Sequence, residues 1–188
     1  MNLTEAIFAR RAVRSFAPRK VDDEVIRKLL RAAVQAPSAM NRQPWLFSIV
    51  QDVAQLKRYS DRAKSLLLEQ MAAEPKARHY ADLLRNEAFN IFYDAGTLIV
   101  IGVDERGPYT DADCWLAAEN LQLAACDLGL GTCCIGFAVP VLNTPEVKAE
   151  LGLPPDGVAV APLIVGHPSG VVPSVPRADP KIVGWKRS

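Results

Sequence analysis

Three arginines crowd one short run near the start of the chain, Arg10-Arg11-Ala12-Val13-Arg14-Ser15-Phe16, and a fourth, Arg177, stands near the other end. Guanidinium groups grip phosphate through forked, charge-assisted hydrogen bonds, so the chemistry these residues offer is anion recognition. In an extended segment Arg10, Ala12 and Arg14 share one side, which suits a long anionic ligand. The net charge is only +1, yet residues 1–31 hold eight Lys/Arg against four Asp/Glu, residues 177–188 hold four against one, and the stretch between holds ten against sixteen. Basic ends that converge in space make a small cationic site for one phosphate group. The near-zero total provides no field for nucleic acid or an anionic membrane. A plainer alternative for arginines at a helix end is that they satisfy its last carbonyls.

Other chemistries lack their parts. His79 and His167 are the only histidines, so a Ser-His-Asp or Cys-His hydrolase has no motif to build on. Gly129-x-Gly131 lacks the third glycine of a dinucleotide fingerprint and follows a helix instead of opening one, and no Walker-type Gly-Lys-Ser/Thr occurs. Cys114, Cys126, Cys133 and Cys134 have no zinc spacing, and they read as small buried thiols of a reducing, cytoplasmic protein, with a vicinal Cys133–Cys134 disulfide as the alternative. What remains is chemistry that a bound organic cofactor performs, with the protein supplying charge and geometry.

The elements that must position these residues follow from patterning. The chain's 188 residues, 49% hydrophobic, suit one domain. Asn2-x-x-Glu5 reads as a capping box for a helix ending near Arg11, and Asp22 caps a second helix that runs toward Pro37. A loop over 37–44 delivers the chain into a strand at Trp45–Val50, helix follows over 53–70, and residues 76–86 read as polar helix or mobile connection. Thr97–Val103 and Val158–Val165 are continuous β-branched strands of a sheet centre. From Ala112 to Leu128 a helix is apolar around most of its circumference, fit for the core or a subunit contact, with Gly129 and Gly131 ending it. Thr144-Pro145 opens a short helix closed by Gly152. Prolines at 168, 173, 176 and 180 keep the tail extended. No run approaches the roughly 20 apolar residues of a membrane span, and the first residues do not read as a secretory signal.

The chain also resembles the nitroreductase family of FMN enzymes. The family's Arg-Arg-Ser-x-Arg-x-Phe is matched at residues 10–16 except that Ala12 replaces serine. Its Ala-Pro-Ser-x-x-Asn-x-Gln-Pro-Trp is matched without a gap at residues 36–45. Leu128–Gly136 is similar to its Leu-Gly-Leu-Gly-Thr-x-Trp-x-Gly element, with Cys134 where tryptophan is usual. Val165-Gly166-His167-Pro168, Pro176-Arg177 and Trp185 follow in the family's order, so the likeness spans about residues 6–186.

The resemblance implies an α+β fold, a mixed sheet of four or five strands wrapped by helices, in an intertwined homodimer. It also implies one domain over 1–188 with a Pro-rich arm at about 168–188 that crosses to the partner. Arg10 and Arg177 would grip the FMN phosphate, with Arg11 and the Ala12 backbone completing the phosphate and ribityl contacts. Arg14 would lie beside the pyrimidine edge of the isoalloxazine as an electronic tuner, with no catalytic acid or base and no metal. Pro37, Ser38 and Asn41 would reach a flavin across the dimer interface. Backbone groups of Cys134, Ile135 and Gly136 would face its N5/O4 edge. Asn86 or Asn90 is a candidate for the pyrimidine edge, and Phe89, Phe92 and Tyr109 are candidates for the acceptor pocket. The expected reaction is ping-pong hydride transfer from NAD(P)H through FMN to a nitroaromatic or quinone. Its rival is a flavin-binding or sensing protein without reductase turnover.

Overall fold

The computed structural model describes residues 1–73 and 80–187. Four strands form one sheet: β1 (Trp45–Val50), β2 (Thr97–Val103), β3 (Gly131–Cys134) and β4 (Val158–Gly166), in the order β1-β2-β4-β3. Every neighbouring pair of these strands is antiparallel. The mixed character expected of the sheet is confined to one parallel bridge, Ala12 with Thr132, on the outer edge of β3.

β2 is buried at every position and lies at the sheet centre with β4. Its side chains alternate between two cores: Leu98 and Val100 join one, and Ile99, Ile101 and Val103 join the other. The second core is closed by α2 (Asp23–Ala33) and α5 (Thr110–Asp127), the first by α3 (Val53–Ala73), α6 (Val139–Leu142) and α7 (Pro145–Glu150). The short helix α4 (Ala81–Arg85) packs on α3. Residues 76–79 of the expected polar segment lie outside the described residues, as does His79.

The capping box forms at α1 (Leu3–Ala9): Asn2 Oδ1 accepts the Glu5 N–H at 2.9 Å, and Glu5 accepts the Asn2 N–H at 3.0 Å. α1 stops two residues short of Arg11. α5 ends as its glycine requires: Gly129 sits at φ 70°, Leu130 N–H donates to Ala125 O, and Gly129 N–H donates to Cys126 O.

β3 is the strand that patterning does not reveal. Its four residues, Gly-Thr-Cys-Cys, carry no β-branched run, and they extend only because β4 offers an open edge on that side. β3 in turn recruits residues 12–17. Val13 N–H donates to Thr132 O at 2.9 Å, and Phe16 bridges Pro168. The arginine run is thereby laid against the sheet.

Two surfaces stay apolar and open. α1 presents Leu3, Ile7 and Phe8, the last 73% exposed, and the neighbouring α5 presents Trp115 and Leu116. Residues 170–187 have no regular structure, and Val171, Ile182, Val183 and Trp185 are exposed. No helix among the described residues is long and apolar enough to cross a membrane.

Candidate functional site

A cavity of about 540 Å³ opens where the arginine run meets the end of β3. It falls within the roughly 300–1,000 Å³ that small-molecule sites span. Arg14, Cys133, Cys134, Ile135 and Gly136 line one part, and Tyr80, Leu83, Ile91, Tyr93 and Phe137 line the rest. Residues more than a hundred positions apart in sequence thus share one wall. A second cavity, about 450 Å³, lies on the other side of Arg14 and is bounded by residues 12–15 and 169–173.

Arg14 is exposed, with its guanidinium carbon 5.9 Å from the centroid of the Tyr93 ring. Its charge also acts on the neighbouring Cys133 thiol. Burial raises the titration of that thiol and Arg14 lowers it, with burial the larger effect. Tyr93 is itself held in left-handed backbone, φ 52°, as is Asp94, φ 54°. Asn90 builds that turn: its Oδ1 accepts the Phe92 N–H, its Nδ2 donates to Asp94, and its carbonyl accepts the Tyr93 N–H.

Arg10 points its Nε at Glu119 Oε1 of α5, 3.1 Å away, without a well-directed hydrogen bond, so this buried donor remains unsatisfied. Glu119 Oε2 accepts from Gln122 at 3.0 Å, and the buried Thr132 hydroxyl lies 3.4 Å from Gln122 Oε1. A polar chain therefore runs from β3 through α5 to Arg10. Arg11 behaves otherwise. Its Nη1 donates to Phe8 O and Arg10 O, closing the C-terminus of α1, while its Nε is buried and unpaired. The plainer expectation for a helix-end arginine describes these contacts of Arg11.

The arginine run meets the start of the C-terminal arm at Ser169, short of the basic stretch 177–188. Ser15 and Ser169 hydroxyls are 2.6 Å apart, and Ser169 N–H donates to Ser15 O. Arg177, eight residues farther on, is exposed and makes no hydrogen bond or ion pair among the described residues. Pro37, Ser38 and Asn41 line neither cavity. Their loop carries three non-glycine residues in left-handed backbone, Met40, Asn41 and Gln43. Each such residue costs about 1–3 kcal/mol, less for asparagine. Ser38 Oγ accepts the Gln43 N–H, and Gln43 Nε2 donates to Asn41.

At the far wall Ile135 N–H is engaged by Pro162 O at 2.9 Å, so it is not free for a ligand. Gly136, exposed at the first position of a 3₁₀ turn, has an N–H with no partner inside that turn. A Cβ on Gly136 would meet nothing within 4 Å, so the wall is open there. Cys133 is buried and Cys134, the last residue of β3, is exposed, and all four cysteines are free. Surrounding protein atoms push the Cys134 thiol up to about 11, helped by Cys133 and Glu119 and opposed by Arg10.

Several candidate residues lie elsewhere. Phe92 is core, Phe89 stands behind Tyr93 in an edge-to-face contact with centroids 5.7 Å apart, and Tyr109 precedes α5 outside the cavity. Asn86 and Asn90 form turns and do not line the cavity. The aromatic wall is instead Tyr80, Tyr93 and Phe137, with Tyr80 and Phe137 edge-to-face at 5.4 Å. The signal for Phe137 was its place next to Gly136. No local pattern marks Tyr93. Among the described residues no cluster of His, Cys, Asp and Glu could hold a metal.

These residues fit a flavin nucleotide: the Arg14 cation faces the cavity, the wall is open at Gly136, and beside the cavity, though not lining it, the Arg11 Nε is a buried donor without a hydrogen-bond partner and Arg10 is paired only with Glu119. The sequence model of the nitroreductase family matches residues 7–167. The iodotyrosine deiodinase of Thermotoga neapolitana is 30% identical over 90% of this chain and 90% of its own. The nitrobenzene nitroreductase of Ectopseudomonas oleovorans is 27% identical over 91% and 88%. A crystal structure of a nitroreductase with bound FMN from Bacteroides fragilis superimposes with a TM-score of 0.85 at 25% identity, covering 99% of this chain and 100% of that one.

Proposed function

Because the chain belongs to the nitroreductase family, we propose that it is an FMN-dependent oxidoreductase that draws on NAD(P)H and works as a homodimer. The observation that carries this reading is the shared wall: Arg14 from the start of the chain and Cys134–Gly136 from the end of β3 face one cavity. The chemistry the cofactor supplies when bound is hydride transfer from NAD(P)H to an electron-poor acceptor, such as a nitroaromatic or quinone, in two half-reactions.

This chain's residues bind and orient. Arg14, held over the Tyr93 ring, brings a positive charge to the pyrimidine edge, where negative charge gathers on reduction. Gly136 N–H is the donor available to the N5/O4 edge, with Cys134 and Ile135 as wall. Arg10 and Arg177 clasp the phosphate, Arg10 exchanging its poorly directed contact with Glu119 for a better acceptor. Arg11 and the Ala12 backbone flank that grip. Tyr80, Leu83, Ile91 and Phe137 present an aromatic and apolar face on which a planar acceptor can stack.

Pro37, Ser38 and Asn41 serve the partner's site. Their absence from both cavities of their own chain, together with the bare apolar faces of α1 and α5 and the open arm, supports a homodimer with the arm crossed over. Such obligate interfaces bury above about 2,000 Å².

Purification and anaerobic titration test the reading. Yellow protein whose visible flavin band bleaches with NADH or NADPH, and returns on adding a nitroaromatic or quinone, is the expected result. Colourless protein that takes up no FMN overturns it. Protein that keeps flavin but bleaches with neither donor is the flavin-binding or sensing alternative.

A further inference from the structure

Asp113 is a carboxylate that the reaction does not use, yet it is only 4% exposed. It sits in the first turn of α5 and touches both ends of the strained loop. Its Oδ1 accepts the Ala39 N–H at 3.0 Å, and its backbone carbonyl accepts the Trp45 indole N–H at 2.9 Å. Between those anchors lie Met40, Asn41 and Gln43, all left-handed, with Met40 94% exposed. A short loop of this kind relaxes unless its ends are fixed. The internal bonds from Ser38 and Asn41 to Gln43 shape its tip, but they do not tie it to the body of the protein.

We infer that Asp113 is a positioning residue acting in trans: by clamping Ala39 it aims Ser38 and Asn41 at the flavin bound to the partner subunit. This rests on the proposed function, and specifically on those two residues reaching across the dimer. The carboxylate sits in the first turn of the 18-residue α5, where a helix N-terminus favours an acidic side chain. It never touches the cofactor. α5 also carries the exposed apolar face, so the helix that faces the partner is the one that sets the loop's aim.

Asp113→Ala removes one acceptor and leaves the Trp45 bond, which goes to the backbone. Its FMN dissociation constant should rise about tenfold or more. Asp113→Asn, whose amide oxygen still accepts from Ala39, should stay within about threefold of the unmodified protein. Ala39→Pro removes the donor from the other side, and Ser38 already has the extended backbone, ψ 152°, that a following proline requires. It should weaken FMN binding as Asp113→Ala does, and it carries the test should Asp113→Ala fail to fold.

Mixed dimers of one Asp113→Ala subunit and one Arg14→Ala subunit, the latter losing a cation at the cavity wall and so also binding FMN more weakly, isolated through two affinity tags, separate trans from cis. In trans, one site per dimer combines an intact Arg14 with an intact loop and regains unmodified affinity, while the other is doubly impaired. In cis, every site carries one defect and none recovers. Trypsin cleavage after Arg42 without FMN reports the loop directly and should quicken in Asp113→Ala. Unmodified protein that binds no FMN overturns the functional reading. Unmodified protein that binds it, with Asp113→Ala indistinguishable or no recovered site in the mixed dimer, overturns this assignment.

Discussion

The Arg14 guanidinium lies over the ring of Tyr93, 5.9 Å from its centroid, and Tyr93 reaches that place only by adopting left-handed backbone. A flexible side chain at the cavity wall is thus given a preferred position by an aromatic face worth about 0.5–1 kcal/mol. Electrostatic catalysis depends on charges fixed in advance, so the role proposed for Arg14 predicts that this pairing affects rate.

Arg14→Ala should lower the flavin reduction potential and slow reduction by NAD(P)H about tenfold or more. Tyr93→Leu, which keeps bulk and removes the π face, should move both quantities in the same direction by less. Potentiometric titration and stopped-flow reduction measure them. Unchanged values in Arg14→Ala would remove its electronic role.

Two glycine substitutions separate folding from function. A Cβ on Gly131 would stand 2.6–2.8 Å from the Val13 side chain, so Gly131→Ala must push the arginine run off the sheet. It should cost about 1–3 kcal/mol in denaturant melts and weaken FMN binding as well. Gly136→Ala meets no protein atom within 4 Å. It should leave stability almost unchanged and impair only the flavin, because its methyl group occupies the cavity wall.

Lys64, on α3 and 8% exposed, donates to the carbonyls of Asn86, Glu87 and Phe89 and so pins the segment behind the aromatic wall. Lys64→Met leaves those carbonyls short of a donor. We expect a loss of about 1–3 kcal/mol and a raised KM for the acceptor, with flavin reduction by NAD(P)H little changed. Equal damage to both half-reactions would show that Lys64 supports the whole site instead of one wall.

Alkali should lower the stability of the protein progressively. Burial pushes the Cys114 thiol from 9.0 up to about 12, and burial with the Glu150 hydrogen bond pushes the Tyr59 phenol from 10.0 up to about 12. Above their ordinary values these groups ionise in the unfolded chain first, so proton release favours unfolding. Stability is therefore full below about pH 9 and falls between pH 9 and 12. Thermal melts of Cys114→Ala should decline less steeply from pH 9, and those of Tyr59→Phe less steeply above pH 10.

The sequence by itself determined much of this protein. Continuous apolar and β-branched runs placed β1, β2 and β4, Asn2 and Glu5 capped α1, and Gly129 ended α5, because each depends on neighbours within a few residues. The arginines and the Pro37–Trp45 segment were legible as residue types in order. The tertiary structure alone decided what those residues meet. β3 exists because β4 leaves an edge to pair, Arg11 turns back onto its own helix while Arg14 finds Tyr93, and Asp113 holds a loop 74 positions earlier. Each of these is a contact across sequence distance, set by which groups must find hydrogen-bond partners or apolar cover once the sheet is assembled, and no local pattern encodes that choice.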